Sequence, residues 1–340
     1  MYDVIVVGSG PGGSAAAIAC AQANLRVLLL EKYLFPRDRP GETLHPGIEP
    51  LLDQLGVREA VLSAEFLRHQ GNWVKWDRDL HFTPFGEDET GNWQGFQAWR
   101  ADFDLLLLDR AISLGVEVLQ PCHAVHPIVG DDRVIGVETS QGIFEASVVI
   151  DAAGSHHWLA KQLGLNIRTY SKPLIACYGY VRGQCPIRDD APAIIADDGG
   201  WTWTAKIRPN FYQWTRLNFT IKRIDRSWIP EEFSNLQAVD KSRVADVTWR
   251  TIDQPAGLGY FLIGDAAAVL DPSSSHGVLK AIMSGIMAGY SIAQIIDRNH
   301  SEQVVIQEYC QWVHDWFQQD LARLTEFYAL LSNKNILITI

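Results

Sequence analysis

At 340 residues, 47% apolar and 20% charged, the chain can bury a large core, most simply in about two domains, and it carries no low-complexity tract. Its formal net charge of −11 leaves no electrostatic footprint for nucleic acid and disfavours an anionic membrane surface. Five scattered cysteines, odd in number and without a CxxC pair, argue against a disulfide framework or zinc site and imply reduced thiols in a cytoplasmic protein.

Met1-Tyr2-Asp3 has no basic leader region, and the apolar run behind it is too short for a secretory signal. Val4–Val7 predicts a strand, Gly8-Ser9-Gly10-Pro11-Gly12-Gly13 a tight turn, Ser14–Ala23 a helix, and Val27–Leu30 a second strand running into Glu31-Lys32. This is the pattern of a dinucleotide-binding βαβ unit. Gly8 permits the turn, Gly10 lets a pyrophosphate approach the backbone, and Gly13 lets the helix pack close to the strand. The helix N-terminus offers amide donors and a favourable dipole to phosphate. Glu31, eighteen residues past Gly13, can accept hydrogen bonds from ribose hydroxyls. An acid there disfavours a ribose 2′-phosphate, so FAD and NAD both remain open at this point.

Tyr33–Thr43, with Pro36, Pro40, Gly41, Arg37, Asp38 and Arg39, is a loop whose arginines can reach a pyrophosphate or flavin. Glu49–Leu55 predicts an amphipathic helix ended by Gly56. Strands are expected within Phe66–His81 and Gly91–Trp99. Ala101–Leu114 predicts a helix opened by Arg100 and closed by Gly115, with Leu105, Leu106 and Leu108 on its apolar face. Val116–Leu119, Ala124–Val129, Val134–Glu138 and Ile143–Val149 predict a β-meander with turns at Gly130-Asp131-Asp132 and Gln141-Gly142. It leads into Val149-Ile150-Asp151-Ala152-Ala153-Gly154.

From Tyr170 to Trp249 strands predominate, with a helical period only around Val239–Val244. Phe261–Ile263 reads as a buried strand, followed by Gly264-Asp265-Ala266-Ala267 and a Ser-rich loop from Asp271-Pro272. Gly277–Asp297 predicts a helix of nearly membrane length, but Lys280 and the many Gly and Ala residues favour burial in protein over a membrane span. An amphipathic helix, Glu302–Leu331, carries Trp312, Trp316, Phe317, Phe327 and Tyr328, and the chain ends in the apolar run Ile336–Ile340.

The fold class is therefore α/β. Residues 1–65, 100–168 and 256–297 form a discontinuous, Rossmann-like cofactor domain with its β-meander. Residues 66–99 and 169–255 form a mainly antiparallel β substrate domain inserted into it, and 298–340 a C-terminal helical segment. Nine of the twelve tryptophans lie in these two intervals of the substrate domain, either as bulky core or as the lining of an aromatic cavity.

Three signals in one order, Gly8–Glu31, Val149–Gly154, and Gly264-Asp265 with Pro272 and Gly277, resemble the FAD-dependent monooxygenase superfamily with the para-hydroxybenzoate-hydroxylase-like fold. The second helix N-terminus, at Gly277, favours FAD over NAD, because it can face the pyrimidine end of a flavin, which carries negative charge when reduced. The resemblance implies that Asp265 holds the flavin ribitol, that Arg100 reaches the ribose or pyrophosphate, and that the backbone near Val125 flanks the adenine. It adds Pro11, Gly12, Lys32, Arg39, Thr43, Ala153, Gly154, Gly264, Gly277 and Val278 to the FAD site.

Phe35-Pro36-Arg37 with Pro40-Gly41-Glu42-Thr43-Leu44 looks like the subgroup of tryptophan halogenases, geranylgeranyl reductases and LodB-type flavoproteins, as does Asp271–Gly277. The LodB type modifies a tryptophan of a partner protein during cysteine tryptophylquinone formation. The halogenase Trp-x-Trp-x-Ile-Pro motif is broken here, where Trp201-Thr202-Trp203-Thr204 runs into Ala205-Lys206. The halogenase lysine before a Trp-containing strand is replaced by Phe66-Leu67-Arg68-His69. Ala153-Gly154 and Lys161 stand where hydroxylases that bind NAD(P)H directly carry Asp-Gly and an arginine. The reductant is then NAD(P)H or a separate flavin reductase.

The activity expected is FAD-dependent hydroxylation of an aromatic ring, with the tryptophan side chain of a precursor protein as the specific candidate. Reduction of isoprenoid double bonds, halogenation, and a non-catalytic flavoprotein partner of an oxidase precursor are the alternatives. His276, one residue before the helix N-terminus, is the main acid/base candidate, and His45 the second. His69, His156 and His157 read as surface or packing residues. No His, Cys and Asp spacing suggests a metal, and Ser275-His276 lacks the context of a hydrolase nucleophile.

Overall fold

The computed structural model describes residues 1–89, 91–219, 227–298 and 300–331. The apolar run Ile336–Ile340 lies outside the described residues. Seven α-helices are present among them: α1 Pro11–Gln22, α2 Glu49–Leu55, α3 Arg58–Ser63, α4 Arg100–Ser113, α5 Trp158–Gln162, α6 Gly277–Ile296 and α7 Glu302–Ala329.

Tyr2–Val7 lies at the centre of the first sheet, parallel to Val27–Leu30 on one side and to the long strand Gly142–Asp151 on the other. Val4, Ile5 and Val6 are fully buried. Continuous apolar runs of this kind are what a parallel strand covered on both faces requires. Gly142–Asp151 has two roles. Its second half extends the parallel sheet, and its first half pairs antiparallel with Arg133–Thr139 to begin the meander. Tyr260–Leu262 joins it in parallel from far along the chain. Glu117–Leu119, expected in the meander, instead pairs in parallel with Val27–Leu30 at the sheet edge.

Helix α1 starts at Pro11, three residues before the predicted start; proline suits a first helical position because its missing N–H has no partner there anyway. It lies against α6, and the contact is built from small residues. A side chain on Gly285 would collide with Gly12 O, and one on Gly289 would stand 2.6 Å from Ala19 Cβ. By length and composition α6 could cross a membrane, yet Ile282, Gly285, Ala288 and Ile292 on its inner face are buried in protein. On α4 the buried face is Phe103, Leu107, Leu108 and Ala111; Leu105 and Leu106 are only partly covered.

The second large sheet takes Gly71–Lys75 and His81–Pro84 from one interval of the chain and Ile175–Arg182, Ala193–Asp197, Gly200–Arg208 and Phe211–Asn218 from another. The two intervals meet where Ala193–Ile195 runs parallel to Trp73–Lys75. No helix forms around Val239–Val244. Arg243–Asp246 is a strand paired with Ile175–Tyr178, because the unpaired edge of that strand overrides a weak local helical period. Two small sheets stitch the layers together: Thr43–Leu44 with Gly95–Gln97 and Leu67–His69, and Ile167–Thr169 with Arg250–Ile252 and Ala268–Val269. Buried Trp76, Trp201, Leu217, Trp249, Leu324 and Tyr328 join the second sheet to α7.

Candidate active site

The glycine turn is shaped by two glycines the protein itself requires and by one it does not. Gly8 sits at φ +102°, and a side chain there would stand 2.6 Å from Ala152 O; one on Gly13 would collide with Gly8 O. In front of Gly10 a side chain would meet only Arg37 Nη2, at 3.7 Å. That open space is a cradle at the N-terminus of α1, where the first helical amides have no intrahelical acceptor.

Glu31 closes the cradle from the strand end. It is buried; its Oε2 accepts from Ser9 N–H at 3.1 Å and from Ser9 Oγ–H at 2.9 Å, and its Oε1 from Tyr33 N–H at 3.0 Å. Arg37 Nη2 stands 3.6 Å away, and Arg37 Nη1 is 3.2 Å from Asp104 Oδ2. Arg37 Nε is buried and has no partner. Burial lowers the guanidinium pKa, while Asp104 and Glu31 oppose the shift. Arg37 is thus a nearly buried cation beside the Gly10 space with a donor to offer.

The arginines singled out from the sequence stand differently. Arg100 donates from Nε and Nη2 to Asp104 and from Nη1 to Pro40 O, so its guanidinium is largely committed to protein partners. Arg39 lies over the Tyr33 ring at 5.2 Å, and Lys32 over the same ring at 5.1 Å. Val125 is on an exposed strand, and its carbonyl accepts from Trp158 Nε1 at 3.3 Å. Thr43 donates from Oγ1 to Gln97 Oε1 at 2.9 Å.

Two further loops meet the turn. Gly154 takes a positive φ of +82°, and Asp151 fixes the segment before it by accepting from Ala153 N–H and Leu159 N–H, each at 2.8 Å. Burial without a counter-charge raises Asp151 to about 6. Of the two readings for His157, surface or packing, the structure shows packing: it is buried, Nδ1 donates to Ala266 O at 2.9 Å, and Nε2 accepts from Arg250 Nε–H at 2.8 Å. Burial lowers it to about 4, so it is neutral and clamps the Gly154 loop to the Gly264-Asp265-Ala266 turn. Asp265 stands in the cleft, touching solvent yet crowded by protein, and that crowding raises its pKa against Arg250 and Arg100.

At the other end of the cleft, His45 and His276 come together with ring centroids 5.2 Å apart, edge to face. His276 caps the start of α6, and burial and the neighbouring His45 lower it to about 4. Burial lowers His45 as well, and its Nδ1 accepts from Gly47 N–H at 3.0 Å. Both imidazoles are neutral at physiological pH. His69, buried next to Phe85, holds Gly71 O at 3.0 Å and Gln97 Nε2 at 3.1 Å, and burial lowers it to about 4.

Beside the turn Pro272–Ser274 that precedes α6 lies a cavity of about 290 Å³. Ser273, Ser275, Val74, Trp76, Trp203 and Phe327 line it, so three large aromatic rings face two hydroxyls. A second cavity of about 490 Å³ shares Trp76, Asp77, Arg78 and Leu330 with it and has Lys75, Asp79, Asp197 and Asp198 on its walls. Among the described residues no group of His, Cys, Asp and Glu is arranged to hold a metal.

An open cradle, an unpartnered buried arginine nitrogen beside it, and a second helix N-terminus across the cleft fit a long dinucleotide carrying a redox ring. They define the molecule as an FAD-dependent oxidoreductase. Residues 3–162 match the model of FAD dependent oxidoreductases, and residues 94–335 match that of tryptophan halogenases. The chain belongs to the tryptophan halogenase family, whose model covers most of its length. It is 28% identical to a tryptophan 2-halogenase of Chondromyces crocatus over 86% of this chain and 61% of the relative. It is 26% identical to a digeranylgeranylglycerophospholipid reductase of Methanopyrus kandleri over 98% of this chain and 86% of the relative. The fold is that of the myxobacterial chondrochloren halogenase, with a TM-score of 0.88 at 23% identity over 98% of this chain and 84% of the other.

Proposed function

We propose that the protein is an FAD-dependent monooxygenase that hydroxylates an electron-rich aromatic ring, with a tryptophan side chain of a precursor protein as its specific substrate. The observation that carries this reading is the strand where halogenases place their lysine. Here Arg68 is tied to Glu49 and to the carbonyls of Gly95 and Gln94, and His69 is neutral and held between Gly71 and Gln97. Neither offers the free ammonium group that halogenation needs, and among the described residues no lysine lines the smaller cavity, Lys75 standing only on the wall of the adjoining one.

The pyrophosphate of FAD would lie at Gly10 and the α1 amides, with Arg37 as its cation and Glu31 near the ribose. Asp265 would hold the ribitol, and the start of α6 would face the isoalloxazine. When bound and reduced by NAD(P)H or a separate flavin reductase, FAD would supply the two electrons for transfer of one oxygen atom of O₂ to the ring, the other leaving as water. The overall reaction is ring C–H plus O₂, two electrons and two protons, giving ring C–OH and water. Trp203 and the stacked Trp76–Phe327 pair would line the substrate ring's site and orient it. The neutral His276–His45 pair can accept the ring proton that leaves as aromaticity returns. The adjoining cavity of about 490 Å³ suits a ring presented on a larger chain. Asn72, Thr83 and His81 interrupt the cavity wall, which is unfavourable for the long isoprenoid chain of a reductase substrate.

The test supplies holoenzyme with a reductant, O₂ and bromide, and offers free indoles, phenols and tryptophan-containing peptides. The expected product gains one or two oxygen atoms and no halogen. A brominated product, or, in a parallel anaerobic assay with a geranylgeranyl substrate, its reduction, would overturn the assignment.

A further inference from the structure

Asp271 is fully buried immediately before the Pro272–Ser274 turn and is the centre of a hydrogen-bond network drawn from three distant parts of the chain. Oδ1 accepts from Ser273 N–H at 2.9 Å and from the Ser273 hydroxyl. Oδ2 accepts from Trp249 Nε1–H at 2.9 Å and from Tyr328 O–H at 2.8 Å. The Tyr328 oxygen in turn accepts from Trp201 Nε1–H at 2.7 Å. Tyr328 belongs to the last turn of α7, Trp201 to the second large sheet, and Asp271 to the turn that forms a wall of the aromatic cavity.

A buried carboxylate is costly unless its lone pairs are filled by well-placed donors. Here one donor, Ser273, is itself in the cavity wall, and another, Tyr328, packs edge to face on the wall residue Trp76 at 5.4 Å. Trp76, whose Nε1 donates to Phe327 O at 2.7 Å, stacks on the Phe327 ring at 3.9 Å. Ser275, which completes the turn before α6, is held at φ +51°, a conformation that needs support from its surroundings. We infer that Tyr328 is a positioning residue for the flavin-facing turn, acting through Asp271, so that α7 is part of the active site's construction. The inference rests on the reading of that turn as flavin-facing.

Tyr328→Phe keeps the ring in its aromatic packing and removes only the hydroxyl, leaving Trp201 N–H without its acceptor and Asp271 short of one donor. The expected result is a folded variant that binds FAD roughly tenfold more weakly, the loss of one hydrogen bond to a charged group. The visible circular dichroism of its bound FAD is altered, because the turn beside the isoalloxazine has moved. Tyr290→Phe is the control: it removes a hydroxyl that accepts from Gln54 Nε2 at 2.8 Å on the exposed side of α6, and neither readout should change. A purely structural hydroxyl would lower the melting temperature and leave the spectrum of bound FAD alone. A Tyr328→Phe protein with the wild-type spectrum and FAD affinity, beside a wild type that holds FAD, overturns this inference alone. A wild type that takes up no FAD overturns the underlying reading and this one with it.

Discussion

Gly10→Ala and Gly13→Ala separate cofactor binding from folding. At Gly10 an added methyl meets nothing closer than Arg37 Nη2 at 3.7 Å, and the residue is the N-cap of α1 at φ −69°, a conformation alanine adopts freely. The folded apoprotein should therefore lose only the small preference of an N-cap for glycine over alanine, about 1 kcal/mol or less. The same methyl enters the space where the pyrophosphate must approach the backbone. Pushing the phosphate away weakens at least one charge-assisted amide bond, about 1.5–3 kcal/mol, or roughly ten- to hundredfold in FAD affinity. At Gly13 the methyl would collide with Gly8 O, so the strand–helix contact must open and the apoprotein itself should be destabilised by several kcal/mol. Thermal unfolding of apoprotein and FAD titration by flavin fluorescence read the two effects separately. Gly10→Ala with wild-type FAD affinity would refute the placement of the pyrophosphate. A fall in apoprotein melting temperature equal to that of Gly13→Ala would refute the geometry of the cradle.

Other variants probe the surroundings of the cradle. Arg37→Met should weaken FAD binding by roughly tenfold or more, since it removes a nearly buried cation and leaves Glu31 uncompensated, whereas Arg39→Met should change it little; isothermal titration that ranks them in reverse restores Arg39 as the phosphate ligand. Gly285→Ala should destabilise the protein by about 1–3 kcal/mol and also weaken FAD binding, because the new methyl presses on Gly12 O; chemical denaturation and FAD titration check both, and an unchanged midpoint would contradict the α1–α6 contact. His157, neutral in the fold with its pKa lowered to about 4, contributes stability that is fully present above its unfolded pKa near 6.5 and is lost as the pH falls through 4. His157→Gln should therefore cost more at pH 7.5 than at pH 5, by about 2 kcal/mol, in urea titrations; a pH-independent cost would mean that His157 is not held neutral.

What the sequence revealed, and what it hid, follows the range of the forces involved. Gly8, Gly10 and Gly13 were legible because a tight turn leaves a local signature, and each proves to occupy a distinct steric situation. The start of α6 was legible for the same reason. Glu117–Leu119 was recognisable as a strand, but its partner is Val27–Leu30, a choice made by sheet assembly and invisible in the segment itself. The helical period at Val239–Val244 failed because an open strand edge at Ile175–Tyr178 outweighs a weak local preference. From the sequence Arg39 and Arg100 were the expected FAD ligands, and Arg37 was only one of the loop arginines. The Arg100–Asp104 pair follows the i,i+4 spacing of α4, but the second contact of Asp104, to Arg37 67 positions away, is made only in the folded chain. The network of Asp271, Tyr328, Trp249 and Trp201 joins residues up to 127 positions apart, and the indole and phenol hydrogen bonds that make it emerge only in the folded chain. Part of the tryptophan excess is therefore core and part is cavity: Trp201, Trp214 and Trp249 are fully buried, while Trp76 and Trp203 face the aromatic space.

The arrangement of the chemistry along the cleft narrows what the family fold does here. Charge is concentrated at the dinucleotide end, where Glu31, Arg37, Asp104 and Arg100 form one buried ionic cluster. At the opposite end His45, His69 and His276 have all been driven to the neutral form by burial. A neutral, imidazole-lined end can take up a proton but offers no fixed positive charge to hold an electrophilic halogen species. Arg68, the nearest cation on the strand in question, is turned away into Glu49 and two carbonyls. Introducing a lysine would therefore not convert the site unless Arg68 were also released, because an ammonium placed at residue 69 would enter the Gln97–Gly71 hydrogen-bond pair rather than the cavity. Under the proposed hydroxylase reading, the strand Leu67–His69 is the feature that withholds a free cation, because Arg68 is held by Glu49 and the carbonyls of Gly95 and Gln94.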